Sequence, residues 1–173
     1  GDLDSDIYDL GVTMTLTNLS VALAEGRSAG NGSMAMDLSM SGPQTGSMRL
    51  AFGELAMTGT YAGTAYSRTM WDFNIAESYA PVNNMFRGEM VLSGMLGSSA
   101  LDKKAVTLSS LRPMVSVGED EYPSSGQILA TGAANSKVRM TAQPDAATVR
   151  IEVDANGDGS YETSTTKAWA DLM

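Results

Sequence analysis

Between Met34 and Met40 every second residue is large and apolar: Met34, Met36, Leu38 and Met40. The residues between them, Ala35, Asp37 and Ser39, are small or polar. A β-strand turns successive side chains to opposite faces, so this spacing gives one face to a core and the other to water. A helix would scatter the same residues around its circumference. The period-two pattern recurs along much of the chain and constrains its fold more than any other feature.

Val12, Met14 and Leu16 alternate with Thr13, Thr15 and Thr17, and after a break at Asn18 the pattern resumes with Leu19, Val21 and Leu23. Met48, Leu50 and Phe52 follow at spacing two. Gly53 and Glu54 then interrupt before Leu55 and Met57, as a β-bulge or tight bend would. Within residues 61–75, Thr69, Trp71, Phe73 and Ile75 are expected on one face, with Met70, Asp72 and Asn74 on the other. Phe86, Gly88, Met90 and Leu92 form a further apolar row. The punctuation between rows reads as turns: the Gly-rich 25–32, the hairpin type 41–46, a break at Pro81 with a short helical turn in 76–84, and a small-residue loop over 94–104.

Val106 with Leu108 opens a C-terminal block, in which Pro113 and the acidic 118–123 precede a closing meander. Ile128 with Ala130, Val138 with Met140, and Val149 with Ile151 and Val153 read as short strands, and 154–159 as the last hairpin turn. The tail 168–173 is a final strand or a helical turn. No stretch carries a convincing 3.6-residue period, and turn signals recur at short intervals. The expected fold is all-β, an antiparallel meander forming a barrel, a sandwich or a strongly curved sheet, because all three share this spacing. Residues 1–173 read as one β-rich domain. It has an acidic lead-in over 1–10 (Asp2, Asp4, Asp6, Asp9), a long-strand meander over 11–104 and a short-strand meander over 105–173.

Charge and missing residue types narrow the chemistry. Lys+Arg number 11 against 20 Asp+Glu, a net charge of −9, which disfavours nucleic acid and anionic membrane surfaces as partners. The absence of Cys and His removes disulfides, thiolate nucleophiles, imidazole bases and soft zinc sites. No transmembrane segment is expected, since no stretch approaches the roughly 18 apolar residues of a membrane span. The chain opens on Gly1 rather than Met, which reads as a trimmed start with any targeting signal or lipid anchor upstream.

Asp154, Asn156, Asp158, Ser160 and Glu162 place oxygens at alternate positions around Gly157 and Gly159. Alternate oxygens can curl about one hard cation, so these five residues are the candidate calcium ligands and calcium the candidate cofactor. The twelfth position of the loop is Thr165, where an EF-hand has its bidentate Glu, and the flanks read as strands. The competing reading, a plain hairpin turn favoured by Asn-Gly and Asp-Gly, outweighs calcium. Met34, Met36 and Met40 have the thioether spacing of copper handlers, but their place on an inward strand face favours core packing. A softer form of that idea is a Met- and Leu-lined cavity for an apolar ligand. Ser164 and Lys167 match a nucleophile spacing without its companion motifs. Glu119, Asp120 and Glu121 form the densest carboxylate cluster, in what reads as a solvated loop.

Several C-terminal runs occur in a particular order: 122–129 (YPSSGQIL), Thr131-Gly132, 138–141 (VRMT), 149–154 (VRIEVD), 157–162 (GDGSYE) and 169–172 (WADL). Through them the last third of the chain resembles the C-terminal end of uncharacterised extracytoplasmic proteins and lipoproteins of Gram-negative bacteria. The resemblance implies a β-rich body that is periplasmic, outer-membrane-anchored or secreted, and it implies no catalytic residues. The expected role is therefore a non-enzymatic structural or binding domain of the cell envelope, part of a longer protein, with an envelope protein as partner. The alternatives are an apolar small-molecule binder with a Met/Leu-lined cavity and a carboxylate-dependent glycan-active enzyme. The sequence leaves the oligomeric state open.

Overall fold

A computed structural model describes residues 8–23, 26–101 and 104–172. The strands run in chain order as β1 (Tyr8–Leu23), β2 (Gly26–Gly42), β3 (Thr45–Tyr61), β4 (Thr64–Val82) and β5 (Met85–Ser98), then β6 (Ala105–Val117), β7 (Ser125–Thr131), β8 (Lys137–Ala142), β9 (Thr148–Asp154) and β10 (Thr163–Ala168). Each pairs antiparallel with its sequence neighbour in a single ten-stranded sheet, and β1 and β10 are the unjoined outer strands. The fold is thus the expected all-β meander, and it is not a closed barrel. The first seven residues of the expected lead-in lie outside the described residues, while Tyr8 to Leu10 already belong to β1.

Two-residue turns join β2 to β3, β3 to β4 and β4 to β5. Ala62-Gly63 and Asn83-Asn84 both hold positive φ at both positions, the mirror-image turn whose twist matches that of paired strands. Pairing carries the alternation across the sheet in register. Val12 faces Met36, which faces Leu50, which faces Ile75, which faces Leu92. Directly paired residues point to the same side, so one continuous apolar face crosses β1 to β5. It continues through Leu108, Ala130, Val138 and Val153 in the shorter strands.

The rows shift register at mid-height. The shifts fall between Leu16 and Leu19, between Gly32 and Met34, between Trp71 and Asn74, between Met90 and Ser93, and within β6 around Arg112. The interruptions read at Asn18 and at Gly53-Glu54 are bulges in this line. Each adds a residue on one strand and bends it.

Four expectations of the sequence are corrected. Residues 26–32 are not a turn but the first part of β2, and only 24–25, outside the described residues, separate it from β1. Gly30 and Gly32 sit in β2 because a Cβ there would collide with Met57 and Leu55 of β3. Pro81 does not break the chain: it lies next to the end of β4, paired with Phe86, where a missing N–H is tolerated. Residues 94–98 extend β5, and only Ser99–Leu101 form a 3₁₀ turn. Asp72 has φ 47°, and this irregularity swaps the faces around it. Met70, Phe73 and Ile75 share the apolar face, while Trp71 points the other way and covers Gly97.

Burial is uneven along the sheet. Among the described residues the fully packed apolar side chains are few: Leu55, Phe73, Met114, Val115, Ala142 and Val149. The accessible surface is 10768 Å², against about 8,100 Å² for a compact monomer of this mass. The C-terminal end closes on itself. Tyr122, ahead of β7, stacks on Trp169, after β10, with ring centroids 6.4 Å apart. Across a flat sheet β7 and β10 would lie about 14 Å apart, so the sheet curls here. Val149, at 0% exposure, and Ala142 are buried at this end.

Candidate functional site

The predicted loop joins β9 to β10. Asp154 ends β9 with its side chain fully buried. Its Oδ1 accepts the Gly157 N–H at 2.7 Å, its Oδ2 accepts the Gly159 N–H at 3.0 Å, and the Lys137 ammonium stands 3.7 Å from Oδ2. Two amides and a cation thus compensate a charge that would be costly to bury alone. Gly157 and Gly159 have φ of 77° and 93°, which turns those amides inward at little cost. Gly157 also presses on the backbone of Ala134, where no Cβ fits, and its carbonyl accepts Asn135 Nδ2 at 3.1 Å.

The other predicted ligands take regular turn roles. Asn156 Oδ1 accepts the Asp158 N–H at 2.8 Å, and Asp158 Oδ1 accepts the Ser160 N–H at 2.7 Å. Glu162 Oε2 accepts the Ala155 N–H at 3.0 Å. The Asp158 carboxyl is held below its ordinary pKa, first by the Ser160 amide and then by Asn156. The fold brings Asp154, Asp158 and Glu162 together, with one oxygen of each within 4.8 Å of the others. Such a trio can ligate a hard cation. The same oxygens, however, already tie the loop together through its own amides. Ser160 joins this trio through its backbone N–H on Asp158 and, more weakly, through its hydroxyl on the same carboxylate.

The remaining candidates disperse. Glu119, Asp120 and Glu121 lie between β6 and β7, where Asp120 accepts the Val117 N–H. Ser164 and Lys167 alternate to opposite sides of β10, and Ser164 Oγ accepts Arg150 Nε at 3.1 Å. Met34, Met36 and Met40 lie on the apolar face opposite Met14, Val12 and Tyr8 of β1, but they are only half-buried there and are not packed into a core.

Sequence reasoning missed the feature that the apolar face makes where the long strands bend. Above the bulge line a groove of about 540 Å³ opens on this face across β3, β4 and β5. Leu55, Met70, Phe73 and Leu96 form its floor, and Leu101 of the 3₁₀ turn flanks it. At its outer end stand Tyr66, Arg68 and Ser98. Arg68 is paired across the sheet with Met57 and Ser98, and its guanidinium lies 5.5 Å from the Tyr66 ring centre. A second hollow, about 530 Å³, lies on the opposite, polar face between β1 and β5, beside Asp37, Arg49 and Glu89. Hollows on opposite faces follow from the twist, since a twisted sheet is saddle-shaped. No helix among the described residues is long and apolar enough to cross a membrane. Comparison with protein-family models, curated proteins and solved structures returned no match.

Proposed function

We propose that the protein is a non-enzymatic binding domain of the cell envelope that holds an apolar ligand against the open face of β1 to β5. The observation that carries this reading is that face itself, a Met-rich surface continuous over five long strands. On these strands only Leu55 and Phe73 are fully packed among the described residues, and closure is most complete farther along the chain, at Val149. At the outer strand Leu10 is 48% and Met14 37% exposed. Met side chains adapt their shape to what they touch, which suits a ligand without a rigid outline. The groove has the volume of small-molecule sites, roughly 300–1,000 Å³. The extracytoplasmic setting rests on the resemblance of the last third of the chain.

The test is binding of an uncharged apolar dye such as Nile red. The wild-type protein is expected to bind it with enhanced, blue-shifted fluorescence. Met70→Glu, which puts a charge on the groove floor, is expected to weaken binding at least about tenfold, since a buried unpaired charge is costly. Leu111→Glu, at an exposed position of β6, should leave it unchanged. Absence of dye binding by the wild-type chain overturns the reading.

A further inference from the structure

We infer that the groove over β3 to β5 takes a single-chain anionic amphiphile, with its acidic head on Arg68 and its tail along the floor toward Phe73. This rests on the apolar-ligand reading above and adds the chemistry of the ligand's head.

The groove is polar at one end only. Leu55, Met70, Phe73 and Leu96 are apolar, and Leu55 and Phe73 are among the few fully packed side chains of the long strands. Among the described residues, Arg68 is the one charged side chain lining the groove, and it makes no ion pair with any of them. The described ion pairs hold Arg87, Lys137, Arg139 and Arg150 to carboxylates. A guanidinium is a planar, permanently charged donor that matches a carboxylate or phosphate head. Tyr66 and Ser98 add hydroxyls at the same end, directly beside Arg68 along the strand and across it.

Reach fits the same ligand. Arg68 and Phe73 are five residues apart on β4, up to about 16 Å of extended strand. An extended dodecanoyl chain spans that distance. A cationic head would meet Arg68 as a like charge, and a neutral one would leave its charge unused.

Three probes with twelve-carbon chains separate the possibilities: dodecanoate and dodecyltrimethylammonium, titrated below their micelle concentrations, and dodecanol, titrated below its solubility limit. Dodecanoate is expected to bind at least about tenfold more tightly than dodecanol, the scale of one charge-assisted contact. Arg68→Gln should erase that preference, with an unchanged far-ultraviolet circular dichroism spectrum and melting curve showing that the variant is folded. Arg68→Glu should turn the preference toward the cationic probe. Equal binding of all three probes, or an unchanged preference in Arg68→Gln, overturns the head-group assignment while leaving the apolar-ligand reading intact. If no probe binds, both fall.

Discussion

The first five strands and the last five are built from one continuous sheet, yet they solve the burial problem differently. β1 to β5 are 14 to 19 residues long, with tight turns between β2 and β5, and they align a rich apolar row. Even so, most of their large side chains remain partly open. β7 to β10 are 6 or 7 residues long and carry fewer apolar residues. They nevertheless hold the best-buried apolar and charged side chains, Val149 and Asp154. The difference is closure. The C-terminal strands curl until Tyr122 meets Trp169, and the polar side is tied by Arg139 and Arg150 on Glu152 and by Lys137 on Asp154. Arg139 also stacks over Tyr161 at 4.2 Å. Apolar content alone therefore does not make a core; a surface must also be folded against something.

The sharpest way to break this contrast is a charge on each apolar surface. Val149→Asp is expected to destabilise the protein by about 4 kcal/mol or more, because the new carboxylate has no water and no partner. Met14→Asp, on the outer long strand, is expected to cost below about 1 kcal/mol. Denaturant titrations followed by tryptophan fluorescence measure both. Equal costs would show that the long-strand face is packed after all.

A smaller effect is expected where the C-terminal half is tied by polar contacts. Asp154→Ala leaves two inward glycine amides and Lys137 without their acceptor, at a cost of about 2–3 kcal/mol. Asp37→Ala, an exposed carboxylate on β2, should be neutral within about 0.5 kcal/mol.

Acid should separate the halves by a further, smaller step. The Glu152 carboxyl is held below the ordinary value of 4.5 by the Arg139 hydrogen bond first, and then by the charges of Arg139 and Arg150, against the opposing effect of burial. A lowered folded-state pKa contributes stability that is fully present above the unfolded value and is lost as pH falls through the folded one. Stability should therefore decline below about pH 4.5. Glu152→Gln, costing about 1–2 kcal/mol at neutral pH, should flatten that acid limb. An acid limb identical in the variant would remove Glu152 from the account.

The smallest change is expected from calcium. The loop is already closed by its own amides and by Lys137, so millimolar Ca²⁺ should move the melting temperature by no more than about 1 °C. A clear rise that disappears in Asp158→Ala, with matching heat in calorimetry, would instead show that Asp154, Asp158 and Glu162 ligate the ion.

What was legible in the sequence was whatever local spacing encodes. The alternations at 12–16, 34–40 and 48–52, the interruptions at Asn18 and Gly53, and the turn residues of the last hairpin all have local causes. What was not legible depends on a neighbour strand. Gly30 and Gly32 look like turn residues until Met57 and Leu55 are seen across from them. Trp71 and Phe73 look like companions until the positive φ of Asp72 reverses one of them. For the candidate site, the acidic loop could be found because its oxygens alternate along one segment. The Arg68 end of the groove could not, because Met57, Tyr66, Arg68 and Ser98 come from three strands and share no motif. A lone arginine at an alternating position flanked by Met57 and Met70 of the neighbouring rows was the only available signal.

The line of bulges at mid-height has a consequence beyond shape. Rows such as Met34, Met36, Leu38 and Met40 repeat so evenly that sliding one strand by two residues would still match apolar with apolar. Perfectly regular long strands would then have several alignments of similar energy. A bulge has only one place to sit, and neighbouring bulges must meet each other across the sheet. The irregularities thus act as fiducial marks. They single out one alignment from a repetitive text, and a strand that lost its mark would be free to misread its neighbour by one repeat.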